Sequence, residues 1–241
     1  MKKEFVFRAS MLEERRKFYE KEFSLRKVKS WFKKNGIKFP QICALDAGMK
    51  TKILLDKSFD KKLFYFKFEE MEEKIKKYVP EGVYYDRNEY ANPDKVLDKL
   101  NFKNRISQEL VFDIDVDNIK DVSPENIQEY ERYLDKAYNY AIKLKKELEK
   151  EFSKILVVYS GRGFHLHVTD KKAYALSSDE RKLLVKRFLK YPIDTWVSRE
   201  NIRLIRMPYT LNGIVSRTVT PISERKFYIG KTIPKFLKNN F

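Results

Sequence analysis

Asp113 and Asp115 stand on alternate residues of the run Glu109-Leu110-Val111-Phe112-Asp113-Ile114-Asp115, which reads as a short strand. Successive strand side chains point to opposite faces, so the two carboxylates share one face while Phe112 and Ile114 point the other way, toward a core. Their Cα atoms then lie about 6.5–7 Å apart. Carboxylates held like this cannot relieve their repulsion by turning away. A divalent cation resolves it, and hard oxygen ligands of this kind suit Mg²⁺ or Mn²⁺. The plainer alternative is a strand end where both acids are simply solvated.

A second group of chemically able residues follows in Ser160-Gly161-Arg162-Gly163-Phe164-His165. The glycines let backbone N–H groups approach a ligand closely, Arg162 offers a planar fork suited to phosphate, and Ser160 carries a hydroxyl. By itself the tetrapeptide is an ordinary hairpin turn. Both histidines of the chain come directly after it, at 165 and 167. Alternation puts them on one face, opposite the apolar one. His165, nearer the turn, is the candidate for phosphate contact or catalysis, and His167 reads as a satisfied or solvent-facing residue. A histidine-based metal site needs more donors than two imidazoles supply, so any metal here is carboxylate-bound. Further on, Asp194 in Pro192-Ile193-Asp194-Thr195-Trp196-Val197-Ser198 offers another acid. Alone it reads as a helix cap. Arg203, Arg206 and Arg217 then interleave with apolar residues.

The elements that must position these groups can be read from pattern. Residues 11–34 predict one or two basic helices, ended by Asn35-Gly36. Strands are expected at Ile42–Leu45, Lys52–Leu55 and Val83–Tyr85, and a short amphipathic helix from Glu69 to Tyr78. Residues 86–108 read as polar and turn-rich, broken at Asn92-Pro93. Ser123-Pro124 opens the clearest helix, whose apolar stripe runs from Ile127 to Phe152. Ile155–Tyr159 and the strand carrying both histidines form a hairpin across the 160–163 turn. A helix capped at Ser177 or Ser178 runs to Lys190, and strands follow around Ile202–Leu204 and Thr218-Val219. Strands and helices mix without regular alternation, which predicts a single α+β domain over 1–241.

Composition narrows the partners. The 241 residues carry a formal net charge of +17 and 15% aromatics. The aromatic content argues against a disordered chain, and the charge favours a polyanionic partner, a nucleic acid, a nucleotide or an anionic membrane. A lysine- and glutamate-rich surface of thermophilic type explains many charges but not the excess. Cys43 is the sole cysteine, which excludes an intrachain disulfide and a cysteine-based zinc or iron–sulfur site. No run approaches the roughly 20 apolar residues of a membrane span, and the basic N-terminus lacks a signal-peptide apolar run. A cytoplasmic protein is expected.

Together, Leu110-Val111-Phe112-Asp113-Ile114-Asp115, Tyr159-Ser160-Gly161-Arg162-Gly163-Phe164-His165, Ile193-Asp194-Thr195-Trp196-Val197-Ser198 and Arg203-Leu204-Ile205-Arg206-Met207-Pro208 resemble, in order and spacing, the archaeo-eukaryotic DNA primase small (catalytic) subunit, archaeal type. Phe18-Tyr19-Glu20 and Gly82-Val83-Tyr84-Tyr85 extend the likeness over most of residues 10–225. The resemblance implies a compact primase catalytic core with a mixed β-sheet active site and flanking helices. It implies that Asp113, Asp115 and Asp194 bind two Mg²⁺ or Mn²⁺ ions about 3.5–4 Å apart. Ser160, Arg162, His165 and Arg206 would hold the incoming nucleoside triphosphate. The expected partners are a single-stranded DNA template and a primase large subunit, with no membrane.

The chain departs from the family pattern in several places. Asn212 and Ile214 stand where a histidine and often a lysine are usual; Asn212 can hydrogen-bond a phosphate but carries no charge. The family's Arg-Glu-Phe signature is replaced around Gln41-Ile42-Cys43, and the zinc knuckle of many relatives is missing. Two other functions stay open: a related primase-polymerase or gap-filling polymerase with the same acids, and a non-catalytic basic nucleic-acid-binding subunit. Aromatics beside the basic groups, such as Tyr84, Tyr85 and Trp196, are candidates to stack bases, while most aromatics read as core.

Overall fold

The inner and outer faces of two four-stranded sheets explain where the sequence puts its apolar and its ionisable residues. The computed structural model describes residues 7–120, 130–198, 203–222 and 227–238. Helices α1 (Leu12–Lys21) and α2 (Leu25–Asn35) come first. Ser24 divides them because its hydroxyl accepts the Lys27 N–H and caps α2, and Gly36 closes α2 at φ 67°. β1 (Ile42–Asp46), β2 (Leu63–Lys67), α3 (Met71–Tyr78), β3 (Gly82–Asp86), β4 (Asn88–Tyr90), α4 (Pro93–Lys99), β5 (Arg105–Gln108) and β6 (Leu110–Asp115) follow. Next are α5 (Tyr130–Leu148), β7 (Ile155–Tyr159), β8 (Gly163–Val168), α6 (Lys171–Tyr174), α7 (Ser178–Arg187) and α8 (Thr195–Ser198). β9 (Leu204–Arg206), β10 (Leu211–Asn212), β11 (Arg217–Thr218), β12 (Thr220–Ile222) and α9 (Lys235–Lys238) complete the described strands and α-helices.

One sheet has the order β2-β1-β3-β9 and the other β12-β7-β8-β6. Every described strand pair is antiparallel, and helices flank the sheets. The α+β class holds. On the outer face of the second sheet, Phe112, Ile114, Phe164, Leu166, Val157 and Tyr159 pack against Leu134, Ala137, Ala141, Leu144 and Leu148 of α5. The two alanines let the helix sit close, and each large side chain buried there contributes roughly 1.5–3 kcal/mol. On the inner face, Val111 and Val158 pack with Cys43, Leu45, Phe66, Val83, Tyr85 and Ile205 of the first sheet and with Val28, Trp31 and Phe32 of α2. The inner faces of β6 and β8 are interrupted by Asp113, Asp115, His165 and His167.

Several expectations need correction. Lys52–Leu55 is not a strand: Lys52 takes φ 60° and the Ile53 carbonyl accepts from Arg15 Nη1 at 2.9 Å, so this backbone is used by a buried arginine. The strand beside β1 is instead the aromatic run Leu63–Lys67. Residues 86–108 are not merely turn-rich but hold β4, α4 and β5. Asn92-Pro93 starts α4 rather than breaking the chain, since Asn92 accepts the Lys95 N–H and proline sits in the first turn, where it lacks no needed donor. Ser177 caps α7 as expected, but the helix ends at Arg187. Ser123-Pro124, Ile127 and Ile202 lie outside the described residues. No described helix is long and apolar enough to cross a membrane.

Candidate active site

The register of β6 on β8 builds the site. Asp113 pairs with His165, Asp115 with Gly163 and Val111 with His167. Asp113 and Asp115 therefore share a face, as the alternation predicted, and His165 stands beside Asp113. The third acid arrives from far along the chain: the Asp194 N–H donates to the Asp113 carbonyl at 2.8 Å. Asp194 Oδ1 then accepts from the Trp196 N–H at 2.8 Å and caps α8, the cap role its sequence context suggested.

Burial, then the charges of Asp115 and Asp194, push the Asp113 carboxyl well above the usual aspartate range. Asp115 is also raised by burial, with Arg162 opposing. Arg162 Nη2 donates to Asp115 Oδ2 at 2.9 Å and Nη1 to Asp117 Oδ2 at 3.1 Å. The Tyr130 hydroxyl bonds Asp117 as well. Those carboxylates hold the Arg162 guanidinium firmly charged. His165 Nε2 lies 3.6 Å from Asp113 Oδ1, beyond hydrogen-bond reach. Burial first, then His167 and nearby arginines, keeps His165 neutral. Asp113 Oδ1, His165 Nδ1 and Arg206 Nη1 are buried without a hydrogen-bond partner among the described residues. Buried polar atoms of this kind call for a partner such as water, an ion or a ligand.

The glycines of the turn have separate reasons. Gly161 takes φ 107°, and a Cβ there would lie 2.5 Å from Asn212 Nδ2. Gly163 allows β6 and β8 to close up, since its Cβ would fall 2.1 Å from the Ile114 carbonyl oxygen. Ser160 fixes the turn by accepting the Gly163 N–H on its hydroxyl at 3.1 Å. Asn212 is fully buried, donates to the Ser160 carbonyl at 2.9 Å and accepts the Ile214 N–H at 3.2 Å. Its side chain braces the turn from behind and does not stand open for the phosphate contact expected of it. Arg206 lies over the Tyr84 ring at 5.0 Å.

The histidine face is not solvent-exposed. His167 is fully buried, edge-on to Trp31 at 5.7 Å, with Nδ1 3.0 Å from Glu109 Oε1 and 3.2 Å from the Tyr85 hydroxyl. Tyr85 donates to Glu109 Oε2 at 2.7 Å. Tyr85 is thus consumed in the core and cannot stack a base. This Tyr85–Glu109–His167 cluster is not evident from sequence, although Glu109 sits on the same alternating face as Asp113. Nor is the part played by Asp117, which follows Asp115 by two residues.

Among the described residues, no three acid, cysteine or histidine side chains already converge into a closed metal cage. The donors present nevertheless fit a divalent ion. They are hard oxygens that repel one another, with one buried and unpartnered at Asp113. Mg²⁺ commonly takes only one or two protein carboxylates and completes its shell with water and substrate phosphate.

A family model described as DNA primase small subunit matches residues 112–192. That span holds Asp113, Asp115 and the whole hairpin turn. A protein of Archaeoglobus fulgidus named an uncharacterized DNA primase small subunit-like protein is 36% identical, over 95% of this chain and 91% of its own length. The DNA primase small subunit PriS of Methanothrix thermoacetophila is 29% identical over 58% of this chain and 39% of its own. PriS of Archaeoglobus fulgidus is 33% identical over 44% of this chain and 31% of its own. With one relative matched nearly end to end and the acid-bearing hairpin matched by the model, this chain belongs to the DNA primase small subunit family.

Proposed function

We propose that the chain is a nucleotidyltransferase that joins nucleotides on a single-stranded DNA template and releases pyrophosphate. The observation that carries this reading is the shared face of Asp113 and Asp115, with Asp194 tied to the same strand by its backbone. These three acids are the groups that would hold one or two Mg²⁺ or Mn²⁺ ions. When bound, such ions supply activation of a 3′-hydroxyl and charge stabilisation at the reacting phosphate. The chain's own groups do the rest. Arg162, partly exposed at the turn, can exchange its Asp115 and Asp117 partners for phosphate oxygens. Neutral His165 can donate one hydrogen bond to a phosphate without adding charge beside Arg206. Gly161 leaves backbone N–H groups approachable, and Asn212 keeps the turn from shifting. The basic groups offset charge on the triphosphate and on the departing pyrophosphate.

The test incubates purified chain with single-stranded template, Mg²⁺ or Mn²⁺, and ribo- or deoxyribonucleotides in separate reactions, with and without a primer. Products in any arm support nucleotidyl transfer, products without a primer support primer synthesis, and none in all arms sinks the reading. A second reading, a polymerase that extends supplied ends, has its own support. Archaeoglobus fulgidus has both a PriS and the primase-like relative, and this chain matches the latter over nearly its full length. Synthesis only when a primer is supplied selects that reading. A primase large subunit is a proposed partner for initiation, tested by adding one to the primer-free reaction.

Arg162→Ala and His165→Ala are expected to raise the nucleotide concentration needed for half-maximal rate by about 10- to 100-fold, the loss typical of a charge-assisted contact. Affinity for single-stranded DNA should stay within about twofold, because the lost contacts face the triphosphate. Equal loss of DNA affinity with unchanged nucleotide requirement would reject their assignment.

The +17 charge gives another expected result. Binding to single-stranded DNA should weaken steeply with salt, by about 0.7 logarithmic units of affinity per tenfold salt for each phosphate neutralised. Unrelated oligonucleotides should bind alike, since base pairing reads the template. A salt titration with several sequences checks both points, and salt-insensitive or single-sequence binding contradicts a general template path.

A further inference from the structure

We infer that Trp196 is a stacking platform for a nucleobase of the DNA strand passing the acids, an inference that rests on the proposed reaction. The indole is 65% exposed, unusual for the largest side chain. Its placement is nonetheless fixed. Val197 is buried in the core between the sheets, the Ser198 hydroxyl donates to the Asp194 carbonyl at 2.9 Å, and the Val197 carbonyl accepts from Arg87 at 2.8 Å. These neighbours anchor α8, so the Trp196 side chain is not needed to hold it. Trp31 is the contrast, only 6% exposed and packed on Phe32 and His167.

Position decides what the open ring meets. The Trp196 N–H holds Asp194 Oδ1, so the indole starts two residues from an acid assigned to the reacting phosphate. Nucleotides repeat about every 3.4 Å along a strand, so a strand held at the acids carries its neighbouring bases past α8. Of the three candidate aromatics, Tyr85 is consumed by Glu109 and Tyr84 lies under Arg206, whereas no described ring or cation covers Trp196. A strongly basic chain draws the strand in through its phosphates, and an indole face adds sequence-tolerant affinity.

The experiment uses the full chain without added nucleotide. Single-stranded oligothymidine, a primer–template with a single-stranded overhang, and an abasic strand of equal length are titrated at one fixed salt concentration. The probes are tryptophan emission and anisotropy of a labelled strand. Trp196→Ala should weaken binding by roughly 5- to 100-fold. Trp196→Phe, which keeps a ring, should lose less than about threefold, and the abasic strand should bind wild type and variants alike. The emission difference between wild type and Trp196→Phe should fall as DNA saturates. An effect on the single strand alone assigns the base to the template; one needing the primer end assigns it to the primer. Unchanged affinity in Trp196→Ala, equal loss on the abasic strand, or an emission response to nucleoside triphosphate alone overturns the inference. Incorporation by wild type, measured in the same preparations, separates the two readings. Activity without Trp196 dependence defeats the platform only, and stacking without any incorporation defeats the reaction only.

Discussion

Asp113→Asn should cut nucleotide incorporation by more than about 1,000-fold, as expected when a ligand of the reacting centre loses its charge, while the metal-free protein becomes more heat-stable. Asparagine keeps shape and burial but removes one of three acids gathered at the site. Asp113 bears the heaviest cost there: burial and two neighbouring carboxylates raise its proton affinity, and one of its oxygens has no partner. The sign of the pH effect follows. A carboxyl raised in the folded state holds its proton where the unfolded chain has released it. Between the ordinary aspartate value, near 4, and the raised folded value, the native state binds more protons, so stability falls as pH rises. His165 works oppositely, because burial lowers it and its contribution is lost as pH falls below the ordinary histidine value, near 6.5. The useful quantity is therefore the difference between wild type and Asp113→Asn. Melting in chelator should favour the variant by about 2–4 °C at neutral pH, the shift that about 1 kcal/mol gives in a chain of this size. That gap should shrink toward pH 4. Added Mn²⁺ should stabilise wild type more than the variant. Near wild-type incorporation by a folded Asp113→Asn protein would remove Asp113 from the metal-binding role.

What the sequence made legible was local. Alternation in Leu110–Asp115 put two acids on one face because the period of a strand is fixed, and the β7–β8 hairpin followed from two apolar runs around a glycine-bearing turn. Long-range pairing was not legible. Nothing near Asp194 says that its N–H meets the Asp113 carbonyl, and nothing near Asn212 says that its amide closes on Ser160. Those contacts depend on α8 reaching β6 and on β10 reaching the hairpin, with many residues between. Whether His167 is satisfied inside or solvent-facing was not legible for a related reason, and the structure selects the first. Its face looked polar beside Phe164 and Leu166, but a second sheet and Trp31 cover it, so both faces of β8 are buried. Asn92-Pro93 was a different failure, because the signal was present. Asparagine as cap with proline in the first turn is the chemistry that Ser123-Pro124 was credited with, yet the polar surroundings outweighed it. Glu109 was equally visible by period, and its role became clear only with Tyr85 and His167 beside it.

Gly163→Ala should destabilise the protein by about 3 kcal/mol or more, the upper end of overpacking costs, and lower its melting temperature by roughly 6–12 °C. The added Cβ would stand 2.1 Å from the Ile114 carbonyl oxygen, 2.6 Å from the Asp115 Cα and 2.7 Å from Asp115 Oδ1. Two of those atoms are backbone, so no rotamer change relieves the clash and the strands themselves must part. Gly163 faces Asp115 in the β6–β8 register, and its carbonyl and N–H both tie back to Ser160, at 2.9 and 3.1 Å. Parting the strands therefore moves Asp115 and loosens the turn that presents Arg162. Incorporation should fall even at temperatures where the variant remains folded, and Mn²⁺ should stabilise it less than wild type. Gly230→Ala is the control, because a Cβ there meets nothing within 4 Å, and its melting temperature and activity should match wild type. A Gly163→Ala protein melting within about 1 °C of wild type would mean that β6 and β8 do not approach this closely. A variant that melts low yet keeps full activity when folded would separate the packing of these strands from the placement of Asp115.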